Sequence, residues 1–121
     1  MRWLIALLMV SAQAHEMTPA HIKLNPAFVA GVSHAQFEIF NHRKDVEYYE
    51  IGVFDDKWEP IEFVSNYNLI QIGYLHRTKI DIYINDSDAK RAAFACSVSR
   101  FWTNESRATL VSSKICSKFE K

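Results

Sequence analysis

The side chains best suited to chemistry in this chain are its five histidines, two cysteines and three methionines. His15 stands out because it follows a stretch that reads as an export signal. Arg2 supplies a positive charge and Leu4 to Val10 an apolar run. Ala12-Gln13-Ala14 then gives the small-x-small pattern at which such signals are cut. Cleavage after Ala14 leaves residues 15–121 as the mature chain, with a histidine at its amino terminus. A free amine and an imidazole are good Cu(II) ligands in tetragonal geometry. His21 is a second imidazole and Met17 a soft donor for Cu(I), with His34, His42 and His76 as further nitrogens. Copper binding through His15 is therefore one expectation. The apolar run itself is too short to span a bilayer, which takes about 20 residues.

Cys96 and Cys116 both fall in the mature part, and an even count in an exported chain favours a disulfide. Such a bridge closes a loop of about 20 residues and stabilises by about 3 kcal/mol on the loop-entropy argument. Neither a CxxC redox spacing nor a four-ligand zinc pattern occurs.

Catalytic chemistry is harder to find. No serine sits in a GxSxG elbow. Gly31, Gly52 and Gly73 are too scattered to cradle a phosphate. Asp55-Asp56 and Asp86-Ser87-Asp88 read as turn residues that bond their own backbone, and the latter lacks the glycine and glutamate of a calcium loop. Asn85-Asp86-Ser87 and Asn104-Glu105-Ser106 match the glycosylation sequon. Fourteen basic residues balance fourteen acidic ones, which leaves no basic surplus for nucleic acid. The expectation is a protein without catalysis and without a cofactor, copper being the alternative.

The elements that must position these residues are strands. At 121 residues, with 49% hydrophobic and 13% aromatic content, the chain can build one real core. In Ala35–Phe54, Ala35, Phe37 and Ile39 share a face, as do Tyr49, Ile51 and Val53. That period of two predicts two half-buried strands. The polar run Asn41 to Asp45 between them predicts a hairpin turn. Further strands are predicted at His21–Leu24, Trp58–Phe63, Leu69–Leu75, Thr78–Ile84, Ala92–Arg100 and Ala108–Phe119, with one helical turn in Asn85–Arg91. Pro26 and Pro60 point to edge positions. Turn signals every 8–12 residues predict an all-β fold, a single Ig-like β-sandwich of seven to eight antiparallel strands. Tyr48, Phe54 and Tyr83 fall on the solvent phase of their strands, and Phe101-Trp102 in a loop. Exposed aromatics of this kind predict a surface that binds another protein.

The order of these features, with a Phe37-Glu38-Ile39-Phe40-Asn41 strand ending in Asn, resembles the N-terminal Ig-like domain of periplasmic pilus chaperones, the PapD-like family. The resemblance spans about residues 17–100. The chain also looks like short exported proteins of unknown function, some of them phage-encoded. The family resemblance implies a sandwich that donates a strand to a pilin subunit and anchors its carboxylate with a cleft Arg and Lys. This chain ends after one sandwich, and Lys23 and Lys114 sit in no motif of that family. The fold is carried over and the anchor is not. Lys23 and Lys114 read as solvated lysines that blunt strand edges.

Overall fold

The computed structural model describes residues 15–100 and 113–120. The expected signal segment, Phe101 and Trp102, and the second sequon lie outside the described residues. Among the described residues the strands are β1 (His15–Thr18), β2 (His21–Ile22), β3 (Asn25–Pro26), β4 (Val32–Asn41), β5 (Tyr48–Asp55), β6 (Val64–Ser65) and β7 (Leu69–Gln71). These are followed by β8 (Arg77–Asn85), the single-turn helix α1 (Asp86–Ala89), β9 (Ala92–Arg100) and β10 (Lys114–Phe119). One sheet runs β1-β4-β8-β6, with β3 also on β4; the other runs β2-β10-β9-β5-β7. All neighbours are antiparallel except β2 and β10, which pair in parallel. This is an Ig-like β-sandwich.

Alternation decides what fills the space between the sheets. Ala35, Phe37 and Ile39 of β4 and Ile80, Ile82 and Ile84 of β8 turn inward from the first sheet. Tyr49, Ile51 and Val53 of β5 meet them from the second. The inner and outer phases expected for these strands hold throughout. The strand β9 is unusual, because small residues form its inner row (Ala95, Ser97, Ser99) while Phe94, Cys96 and Val98 face outward.

Ala35–Phe54 is not a hairpin. β4 pairs with β1 and β8, whereas β5 pairs with β9 and β7, so the chain crosses from one sheet to the other between them. Two residues force the crossing. Val46, 2% exposed, is pulled into the core where a hairpin turn would leave it in water. Asn41, fully buried, is saturated by the crossing itself. Its Nδ2 donates to the carbonyls of Val46 (2.8 Å) and Ile72 (2.9 Å). Its Oδ1 accepts the Arg43 N–H (2.8 Å) and the Tyr49 hydroxyl (2.6 Å). Its own backbone bonds Leu75 and His76. Three other expected spans differ. Trp58–Phe63 makes only an isolated bridge from Pro60 to Phe54, because the chain there bends rather than extends. Leu69–Leu75 holds only the three-residue β7, and Tyr74 lies in a turn at 43% exposure. His21–Leu24 holds only the two-residue β2.

The amino-terminal residues lace the sandwich. β1 pairs with β4 in the first sheet, the chain passes the cis Thr18–Pro19 bond, β2 joins β10 in the second, and β3 returns to β4. Among the described residues no helix is long and apolar enough to cross a membrane.

Replacing Asn41 strips partners from two buried carbonyls and a buried hydroxyl at once. Each such loss costs about 1–3 kcal/mol. Asn41→Ala is expected to lower unfolding free energy by about 3–5 kcal/mol and Tyr49→Phe by about 1–2, read from urea denaturation. A loss below about 1 kcal/mol for Asn41→Ala would show that the crossing does not rest on this side chain.

Candidate binding surface

The outward row of β5 and β9 carries the most developed surface cluster. Gly52 lies opposite Cys96, and Phe54 opposite Phe94. Because Gly52 has no side chain, the Phe54 ring folds back across it; a Cβ there would sit 2.9 Å from two ring carbons. The turn after β5 then swings Trp58 over the same face. Its indole stacks on Phe94 with centroids 4.4 Å apart and planes within 4° of parallel, and lies 6.0 Å from Phe54. Lys114 of β10 completes the group, with its Nζ 4.7 Å from the Phe54 centroid and 4.5 Å from that of Trp58. A lysine over two aromatic faces is held by the ring quadrupoles. Lys114 is exposed, as expected of a solvated strand lysine, and it also takes part in the aromatic cluster.

The turn that presents Trp58 is strained and braced. Trp58 has φ of 64°, in the left-handed region that costs a side chain about 1–2 kcal/mol per residue. Asp55 holds it there. Its buried carboxylate accepts the N–H groups of Lys57 and Glu59, each at 2.9 Å, and faces Arg91 at 3.4 Å. The Glu59 N–H above all, with the Lys57 N–H and the charges of Arg91 and Lys57, keeps this carboxyl below its ordinary range. The Trp58 N–H donates to the Asp55 carbonyl at 3.1 Å. Trp58 remains 49% exposed after all this.

The aromatics singled out in the sequence are not brought together. Phe54 belongs to the cluster, and Tyr48 lies on the same outer face at the far end of β5, opposite Arg100. Tyr83 is on the outer face of the other sheet, its ring 4.9 Å from His34. Sequence reasoning missed Trp58 and Phe94. Trp58 falls in the span expected as a strand, and only its left-handed backbone, which the sequence does not display, takes it out of that strand.

Cys96 and Cys116 form a disulfide between directly opposed residues of β9 and β10, on the outward row beside Phe54. His15 and Met17 point into the sandwich from β1, and His21 is exposed on β2. The His15 ring, 2% exposed, is 4.7 Å from the Tyr49 ring. Its Nε2 lies 2.8 Å from Ser97 Oγ and its Nδ1 3.1 Å from Ser113 Oγ, so β1 is pinned across the core to the opposite sheet. Among the described residues no three His, Cys, Asp or Glu side chains gather as a metal site would need. Lys23 is exposed between β2 and β3.

No known family matches the sequence, and no curated protein matches it. Solved structures do. The E. coli chaperone DraB superposes with a TM-score of 0.65 at 14% identity, over 87% of this chain and 52% of DraB. The Salmonella enterica SafB chaperone, solved in complex with the SafA pilin, gives 0.63 at 13% identity, over 87% and 52%. The seventh PapD-like domain of human CEP192 gives 0.54 at 10% identity, over 88% and 82%. The fold is similar to a PapD-like domain. The chain spans about half the length of the two bacterial chaperones. The PapD-like likeness covers the sandwich alone.

Burial pushes the His15 imidazole down to about 4, against the pull of its Ser97 bond, with Arg43 adding to the fall. A folded-state pKa below the unfolded value means the folded chain binds fewer protons. The stability from neutral His15 is thus complete above about pH 6.5 and is lost as pH falls towards 4. Urea midpoints are expected to drop across that window by the equivalent of about 3 kcal/mol, and His15→Gln to flatten the drop. Equal pH slopes in the two proteins would assign the effect to other groups.

Proposed function

We propose that the chain is an exported, chaperone-like module that binds another protein without catalysis, taking an extended segment of it beside β10. The observation that carries this is Trp58, held on strained backbone over Phe94 of β9, with Lys114 of the neighbouring strand β10 reaching its ring. On the side of β10 away from β9, the described residues pair only Lys118 and Phe119, with β2. Among the described residues Lys114 to Ser117 pair with no strand there, although β1 packs against β10 and the Ser117 hydroxyl donates to the Pro19 carbonyl at 2.7 Å. An added strand would find backbone donors and acceptors at that edge, and a large aromatic anchor next to them. The likeness to chaperones, one of them solved with a pilin, supports a protein as the partner class. Export rests on the signal-like first residues and the disulfide. Copper through His15 is not put forward, because the metal would have to take a buried ring nitrogen away from Ser97 or Ser113.

The test is binding of a partner co-purified from the native host and identified by mass, measured by calorimetry with hydrogen exchange as the map. Trp58→Ala is expected to weaken binding at least tenfold, about 1.4 kcal/mol, and the partner to slow exchange at β10 amides. Unchanged affinity in Trp58→Ala, with protection away from β10, refutes the reading.

A further inference from the structure

The side of the sandwich away from β10 holds a second surface. There the two-residue β6 closes one sheet and the three-residue β7 the other. Between them lies a groove of about 580 Å³. Buried Ile51 and Ile61 form its floor, and Phe63, Val64 and Tyr83 line it higher up. Val64 is 69% exposed, and Tyr67 and Leu69 in the same stretch are also open to water. Tyr83 lines a smaller hollow of about 180 Å³ as well, together with Phe28 and His34. An apolar floor under so much exposed apolar side chain is more than a scattered surface residue explains.

Charge identifies the occupant. Two carboxylates, Glu50 and Glu62, line the groove, and among the described residues no lysine or arginine does. Glu50 is held by Arg100 at 2.7 Å. Glu62 is exposed and has no ion-pair or hydrogen-bond partner among the described residues. A second copy of this chain docking here about a two-fold axis would bring like carboxylates together. We propose that the groove docks an extended segment of a partner protein in which an apolar side chain is followed by Lys or Arg. The segment's backbone pairs with the open edge of β6, its apolar side chain fills the hollow over Ile51 and Ile61, and its cation meets Glu62. This surface is separate from the one beside β10, and each can stand without the other.

The test uses two acetylated, amidated nonapeptides with the same apolar residues, one interleaved with lysine and the other with glutamate, titrated into the isotopically labelled protein. The lysine peptide is expected to bind at least tenfold more tightly, shifting amide signals in residues 61–69 and at Tyr83. Glu62→Lys reverses the preference, added salt narrows it, and Trp58→Ala leaves it unchanged. Equal binding of the two peptides overturns the proposal. So does no binding at millimolar peptide, or shifts confined to β10. Concentration-dependent shifts of residues 61–69 without peptide overturn it in favour of a second copy.

Discussion

One buried amide determines how the chain is threaded. Asn41 ends β4, and its side chain closes four hydrogen bonds within the crossing and beyond it, to Arg43, Val46, Tyr49 and Ile72. Only an amide suits the place, since it must donate twice and accept twice while fully buried. Aspartate would turn negative oxygen towards two carbonyls, and leucine would leave them bare. The same residue fixes Leu75 and His76 through its backbone, so three separate stretches of chain meet at one point. With β4 and β5 directed into different sheets there, β8 and β9 are free to pair with them, and the rest of the sandwich follows.

Much of this was legible in the residues and some was not, for physical reasons. Alternation marks which side chains of a strand go inward, and Phe37, Ile39, Tyr49, Ile51, Val53 and the three isoleucines of β8 went where it pointed. Alternation is silent about which strand lies alongside, because a hairpin and a sandwich crossing bury the same face. Asn41 looked like a turn residue, since a short polar side chain before Arg43-Lys44-Asp45 suits a turn and a buried knot equally. The disulfide was readable from the even cysteine count under the expectation of export. Trp58 was not, because its position depends on a left-handed backbone that tryptophan rarely adopts. The span of β9 was readable as Ala92–Arg100, but not which of its rows faces inward: the small row does, and Ser97 in it bonds His15.

The two outer faces of the sandwich have different characters. On the first sheet, His34 and Gln36 both reach Asp81, at 2.8 and 3.0 Å, and Arg77 faces Glu38 at 3.4 Å. Such a ladder of paired charges is well hydrated and offers little to an apolar partner. The second sheet carries Phe54, Trp58, Phe94 and Val98 with Lys114 among them. The first sheet's outer face thus carries mainly paired polar groups, with Tyr83 as its exposed ring, while the second carries the aromatic cluster.

The Cys96–Cys116 bridge joins residues that already face each other across β9 and β10, with Cα atoms 4.0 Å apart. Besides its thermodynamic effect it changes how the sheet carries load. Tension applied along β10 by anything attached to its edge passes through a covalent link into β9, at the centre of the five-stranded sheet. The hydrogen bonds between the two strands are thus spared from unzipping one by one. The outermost long strand of this sheet is in that sense a riveted beam, and a force would have to break the molecule elsewhere before it could peel that strand away.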